Sequence, residues 1–577
     1  MAGAGGGTTG GVTGRLDGRG IEMTQAAEHF TFDGHSVPLR AGQSLAAALT
    51  DAGLRRFRQT AKGAARGVFC GMGVCQDCLV TVDGVPNRRA CMTAAAPGQQ
   101  VLTQNPFPDL ATAKVPLAAH PARVIAPDLL VVGGGAGGLS AAIAARAAGA
   151  SVVILDERKV GGGQYFKQSA VSAPLDAQQA AGAELLAQAL AAGAKLIGEV
   201  EIWGAFDGLL FLAEHKGAAL VARPRAAIIA TGAYERPEIR PGWTLPGVMT
   251  TGAAQTLWRS YRTLPGKRVA IVGSGPLNLQ VGRELALGGA EVVMIAERGP
   301  APWLRPLASA VLAFADPGLV LSGLRMLSDL RKRGAPVRHG TRLDRIDAEG
   351  SALRVTVTDG AKTTAVTADA VLMNAGFDPQ NEILRLLGAR ANYDPAFGHL
   401  RVVRDERCAT SVPGLYAVGD CAGLGGAPAA MAEGRIAGRA AAAELGFGDG
   451  YDVFADQRQL RRHRRFQRQL WALHDVAPRL PEVPDDTLIC RCEEIDAGQI
   501  RQGLGERPGH AGTLKRATRV GMGRCQGRYC GLVAARLVAA ATGMPVDERS
   551  YFAPRVPIKP VAISSILAAE EALKDGL

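Results

Sequence analysis

Residues 128–157 read DLLVVGGGAGGLSAAIAARAAGASVVILDE. An apolar run ends in a glycine turn, a helix of small residues follows, and a second apolar run stops at Asp156. Gly133, Gly135 and Gly138 hold the three positions of G-x-G-x-x-G. They serve the tight turn, the close approach of backbone to a pyrophosphate, and the close packing of helix on strand. The helix N-terminus faces the phosphates with its positive dipole end. Ala142, Gly149 and Asp156 fall at the expected offsets, and a carboxylate at the last position accepts hydrogen bonds from ribose hydroxyls. With the whole strand–turn–helix–strand context present, a non-binding reading of the glycines is a small minority.

Residues 266–299, GKRVAIVGSGPLNLQVGRELALGGAEVVMIAERG, repeat the pattern with defects. Gly273 and Gly275 are kept, Asn278 replaces the third glycine, and Ala296 stands at the acidic position with Glu297 and Arg298 after it. A side chain at position 278 is expected to push helix from strand. Glu297 is the candidate for an NAD ribose and Arg298 for a 2′-phosphate. A retained fold with a weak, altered or lost ligand is equally open.

Eight of the ten cysteines form two sets. Cys70, Cys75, Cys78 and Cys91 follow C-x4-C-x2-C-x12-C, whose opening matches the plant-type [2Fe–2S] arrangement. Gly71 and Gly73 let that loop curl so that NH groups point at cluster sulfurs. Cys490, Cys492, Cys525 and Cys530 follow C-x-C-x32-C-x4-C, with Arg491 and Arg524 beside them to offset cluster charge. Zinc is the alternative for either set of four thiolates.

The chain of 577 residues is too long for one core and predicts several domains. A tail, 1–27, reads as disordered and lacks the apolar region of a signal peptide, and Met23 is an alternative start. A β-rich unit spans 28–105, with a hairpin turning at Asp33-Gly34 and a helix opened by Ser44. A Pro-rich linker, 106–126, leads to a core at 127–447 with the second nucleotide unit inserted at about 266–365. A basic helical linker follows at 448–485, where Phe466, Leu470 and Leu473 share one face and the arginines read as solvated. The second cysteine set lies in 486–577. The net charge of +12 suggests an anionic partner such as nucleotide phosphates, an acidic subunit or an acidic electron carrier. Aromatics are only 5%, and no nucleic-acid-binding module is visible. No 20-residue apolar run predicts a transmembrane helix. The expected location is cytoplasmic, with attachment to the periphery of the inner membrane as a variant. There, clustered cysteines bind metal more often than they pair as disulfides.

Far downstream, GLYAVGDCAG carries Asp420, and Ala230-Thr231-Gly232 ends a predicted strand. These segments resemble the second FAD fingerprint and the ATG strand end of the two-dinucleotide-domain flavoproteins, the glutathione and thioredoxin reductase type. The resemblance implies an α/β fold in which one Rossmann-like domain is inserted in another. It also implies FAD at the first site, with Asp420 on its ribityl side, Thr231 and Gly232 at the domain crossing, and Gly163 with Gln164 near the flavin. That type uses a redox cysteine pair. Cys408 and Cys421 are isolated here, so disulfide reduction is disfavoured.

The first cysteine unit resembles the β-grasp ferredoxin domains of succinate and xanthine dehydrogenases. The second resembles the small helical bacterioferritin-associated ferredoxins. TGAYERP (231–237), PGWTLPGV (241–248) and GMGRCQGRYC (521–530) extend the likeness to the A or α subunits of opine oxidase, hydroxyproline dehydrogenase and sarcosine oxidase. The same segments are similar to a fusion of the two small components of hydrogen cyanide synthase. The resemblance implies an FAD- and iron–sulfur-dependent, electron-transferring subunit of an amine or imino-acid oxidoreductase. Its implied partners are a D-amino-acid-oxidase-like β subunit, which binds substrate, and a carrier or quinone, which takes the electrons. No substrate arginine clamp is evident in this sequence, and no catalytic residue is assigned. A self-contained NAD(P)H-dependent reductase is the alternative enzyme, and a non-catalytic assembly protein a third class.

Overall fold

A computed structural model describes residues 28–109, 111, 120–448, 452–475, 482–505 and 509–574. The tail expected to be disordered lies outside the described residues. The described residues begin with a five-stranded sheet. Glu28–Phe32 pairs antiparallel with His35–Leu39 and parallel with Gln100–Thr103, and Leu79–Val82 and Val85–Arg89 complete it. The turn between the first two strands has φ of 49° at Asp33 and 81° at Gly34, the left-handed pair that a tight hairpin demands. Helix Leu45–Asp51, capped by Ser44, buries its apolar residues against this sheet.

The core is two parallel sheets, each a nucleotide-type fold. In the first, strands run Lys195–Ile197, Val152–Leu155, Leu129–Val132, Ala226–Ile229, Leu415–Ala417 across the sheet. In the second, Ala370–Asn374 and Arg268–Gly273 form the centre, with Val248–Thr250 on one side and Glu291–Glu297 then Val337–His339 on the other. Central strands are buried on both faces and read as near-continuous apolar runs (LLVV, AAII, AVLMN), as parallel sheets require. The chain passes between the folds through Ala233–Glu235, which pairs antiparallel with Phe377–Pro379.

Two stretches differ from the sequence expectation. Arg123–Ile125, inside the expected linker, is an edge strand parallel to Ala218–Ala222; three residues carry too little periodicity to be read as a strand. Helix Phe454–His474, also expected as a linker, packs on helices Ala427–Glu444 and Pro306–Ala315. Its arginines are not all solvated: Arg464 pairs with buried Glu433 and Arg462 with Asp316.

The C-terminal unit, helices Ala497–Leu504, Ala511–Thr518 and Gly531–Thr542, shares one apolar core with the first cysteine loop and Trp243. Trp243 Nε1 donates to Leu488 O at 2.6 Å, and its own carbonyl accepts from Arg491. PGWTLPGV is therefore the seat on which this unit docks. Among the described residues no helix is long and apolar enough to cross a membrane.

Candidate functional site

One cavity of about 860 Å³ runs between the two nucleotide folds, a volume in the range of cofactor pockets. Gly133, Gly135, Asp156, Gly163, Gln164, Thr231, Gly232 and Asp420 all line it. Gly133 sits at φ 106°, which only glycine adopts readily. A Cβ on Gly138, just inside the helix, would drive into the Gly133 carbonyl, so the third glycine lets helix lie on strand. A Cβ on Gly135 would stand 3.7 Å from Gly163 Cα, which places the two glycine loops against each other. Gly135 is the N-cap of helix Ala136–Ala147 and no side chain caps that end. Its first-turn NH groups are left for phosphates.

Asp156 accepts from the NH groups of Gly134 (2.6 Å) and Arg158 (2.7 Å). Burial nevertheless pushes its pKa above the usual carboxylate value. Asp420 accepts from Gly425 NH and Gly426 NH at 2.8 and 3.0 Å, and burial likewise raises it. Thr231 Oγ1 donates to Gln380 O at 2.6 Å, tying the domain crossing together. The glycine cradle, the open helix end and the two placed carboxylates fit an FAD. Asp156→Ala removes a charged acceptor that hydrogen bonding typically makes worth about 1.5–3 kcal/mol. Flavin retention should fall roughly tenfold to a hundredfold, measured as flavin released on gel filtration.

Several cavity residues escaped the sequence reading. Behind the wall, Lys167, 2% exposed, donates to the lining residue Gln164 at Oε1 (2.5 Å) and to Thr256 Oγ1. Burial, helped by the Arg158 charge, holds its pKa well below the ordinary lysine value. Glu235 accepts from Gly252 NH and from Asn374 Nδ2 at 2.8 Å. Arg259 is neutralised by Glu284 (3.0 Å) and Asp176 (2.5 Å), so it is no free clamp for a substrate carboxylate. Lys559, from the C-terminal unit, reaches the cavity and pairs with Glu157, and burial brings it down to about 7. The one local signal was Lys167, a lone lysine three residues after Gln164 in an otherwise uncharged run.

The second nucleotide site is brought together and covered. Glu297 accepts from Gly275 NH (3.0 Å), Gly299 NH (2.9 Å) and Ser274 Oγ. His474 Nδ1 meets its Oε2 at 3.1 Å, with the imidazole as donor because a carboxylate only accepts. Burial would raise the Glu297 pKa, but His474 and these donors outweigh it and hold it below the usual range. Trp471 lies over Gly275, and a Cβ on Gly299 would meet Leu473 O at 2.8 Å. Arg298 is engaged with Glu238 (3.0 Å) and the Asp475 carbonyl (2.7 Å). Gly273 holds φ 128° in the first turn. Asn278 does not wedge helix from strand: its amide donates to Asn374 O (3.1 Å) and accepts from Thr251 Oγ1 (2.7 Å).

The four cysteines of each set converge two by two. Cys70 is within hydrogen-bond reach of Cys75, and Cys78 of Cys91; Cys490 is within reach of Cys530, and Cys492 of Cys525. Among the described residues no three metal-ligating side chains converge on a single point. Two pairs of thiolates are the donor set that two irons, each with two thiolates, would take. Burial raises Cys70, but Cys75 and the NH groups of Met72, Cys75 and Val74 outweigh it and bring it down to about 6. Its partner Cys75, buried beside it, is held well above the ordinary thiol value. Cys408 and Cys421 lie outside both sets: burial pushes their thiols up to about 12 and about 11. All ten cysteines are free.

Cys70 and Met72 of the first loop, and Arg528 of the second, form part of the flavin cavity wall. A two-electron cofactor site thus opens onto both cysteine loops, on a double nucleotide fold without a redox cysteine pair at its centre. These features define an FAD- and iron–sulfur-dependent oxidoreductase. The chain belongs to the pyridine nucleotide-disulphide oxidoreductase family, which it matches over residues 127–434. Residues 25–106 match a 2Fe-2S iron-sulfur cluster binding domain, and 487–571 the sarcosine oxidase A3 domain. The opine oxidase A subunit from Rhizobium meliloti (strain 1021) is 32% identical over 393 residues, 67% of this chain and 85% of that protein. The hydrogen cyanide synthase component HcnA from Pseudomonas aeruginosa is 47% identical over 83 residues, 14% of this chain and 80% of that protein. The solved structure of L-proline dehydrogenase from P. horikoshii superposes with a TM-score of 0.71 at 19% identity, covering 95% of this chain and 98% of that one. It shares the fold. The likeness to opine oxidase and hydrogen cyanide synthase subunits read from the sequence is borne out.

Proposed function

We propose that this chain is the electron-transferring subunit of a dehydrogenase or oxidase acting on amine or imino-acid (CH–NH) donors. A separate, D-amino-acid-oxidase-like subunit takes the substrate, and an outside carrier or quinone takes the electrons. Both cysteine sets hold [2Fe–2S] centres in this reading. The observation that carries it is the cover on the second nucleotide fold. In this reading Trp471, beside Gly275, and His474, bonded to Glu297, take the place of a pyridine nucleotide. Electrons then have to enter from elsewhere than NAD(P)H, which counts against the self-contained reductase. A bound flavin accepts two electrons together and releases them singly, in the units a [2Fe–2S] centre takes. The chain's own residues do the rest. Gly135 and the helix end bind diphosphate, Asp156 holds the ribose, and Gln164, held from behind by Lys167, places a polar group beside the flavin ring.

Relatives named as subunits of opine oxidase and hydrogen cyanide synthase support membership of a complex. An exposed apolar row offers the contact: Trp303 is 73% exposed, Leu307 80% and Phe314 90%, a patch of the kind that marks protein–protein sites. In an anaerobic titration of the purified chain, excess NADH or NADPH should leave the flavin absorbance unbleached. Substrate amine with the partner subunit should bleach it. Rapid bleaching of the isolated chain by NADH would favour the self-contained reductase.

A further inference from the structure

We infer that the two cysteine sets form one directly joined pair of centres, and that Tyr529, carried by the second set, donates its phenol to a sulfur of the first. This rests on the reading that both sets bind iron. Asp77 stands between Cys75 and Cys78, and Arg491 between Cys490 and Cys492. Arg491 Nε meets Asp77 Oδ2 at 2.6 Å, with both side chains buried, so the two ligand loops are tied by an ion pair. The Arg491 guanidinium also lies 3.8 Å over the Phe69 ring and 4.7 Å from Trp243. Phe69 precedes Cys70, and Tyr529 precedes Cys530. Their rings meet edge to face at 5.2 Å. Cysteines of both sets lie in one apolar core with these rings.

The Tyr529 hydroxyl is buried and has no hydrogen-bond partner among the described residues, cysteine sulfurs included. Cys70 and Cys75 of the first set and Cys525 of the second lie closely enough that their charges act on it. A buried phenol without an acceptor costs stability that phenylalanine would not. The sulfurs of the first centre are the acceptors on hand. Hydrogen bonds to cluster sulfurs set reduction potential, so Tyr529 is a positioning residue that makes the first centre easier to reduce. No bond is made or broken.

Tyr529→Phe removes only the hydroxyl and keeps the ring on Phe69. Iron, acid-labile sulfide and thermal midpoint should match the wild type. In an anaerobic potentiometric titration read by EPR, the first centre should become harder to reduce by about tenfold in its oxidised-to-reduced ratio, roughly 59 mV for one electron. In the wild type, full reduction should broaden both signals through coupling between neighbouring spins. A Y529F titration that overlays the wild type, or a fully reduced spectrum equal to the sum of two unperturbed signals, overturns the inference. Should Y529F fail to retain iron, Phe69→Leu unseats the phenol while sparing every ligand. The same shift is expected there, and no shift counts against it. Iron in the first set alone would sink the two-centre reading, whereas the Y529F titration would still decide the phenol.

Discussion

Asp77→Ala should lower the unfolding free energy by about 3–5 kcal/mol and loosen the C-terminal unit from the first cysteine loop. Asp77 is 1% exposed and receives Arg491 Nε at 2.6 Å and Arg58 Nη2 at 2.7 Å. Removing the anion leaves Arg491 buried without a carboxylate, beside a third buried guanidinium, Arg66. Burial and the Arg491 charge already bring Arg66 down to about 10. The remaining acid at that corner is Glu494, 3.3 Å from Arg66. The loss is large because two charges on opposite sides of a unit boundary lose their common partner. A urea melt and limited proteolysis between the units check it, and an unchanged midpoint would refute it. The same ion pairs set an acid limit. Burial would raise the Asp77 pKa, but Arg491, Arg58 and Arg66 outweigh it and hold it below the usual carboxylate value. Its contribution is therefore complete above the unfolded value of about 3.9 and is lost as pH falls through the lower folded value.

Gly138→Val should abolish flavin retention. The added Cβ would enter the Gly133 carbonyl and stand 3.1 Å from Val131 Cγ1. The helix cannot recoil, because Gly434 and Gly438 of helix Ala427–Glu444 already bring that backbone against Gly137 and Ala141. Helix Ala136–Ala147 is thus held between strand and helix with no slack, and its displacement moves the phosphate-binding NH groups. Overpacking typically costs about 1–3 kcal/mol, and this site stands at the upper end. The flavin-to-protein absorbance ratio of purified G138V should be at most a tenth of wild type. Gly323→Ala is the control, since a Cβ there meets nothing within 4 Å. A yellow G138V protein would contradict the packing account.

Local grammar carried much of this. The turn glycines, Asp156, the Asp33-Gly34 hairpin and the C-x4-C-x2-C loop are each specified by residues within about one βαβ unit, where periodicity and spacing work. The partners that complete the site are not local. His474 reaches Glu297 across 177 positions, Lys559 reaches Glu157 across 402, and Arg491 reaches Asp77 across 414. No pattern in the arginine-rich helix distinguishes a solvated face from a cover over the second nucleotide fold. Asn278 shows the reverse case. Its type looked disruptive, but Thr251 and Asn374 supply the two hydrogen bonds that let a polar side chain be buried there.

The assay that bears most directly on the account is the flavin, iron and acid-labile sulfide content of the anaerobically purified chain. Two binuclear, four-thiolate centres beside one flavin predict one FAD with about four irons and four sulfides per chain. Zinc in place of iron, with no labile sulfide, would contradict it and remove the single-electron path from the flavin.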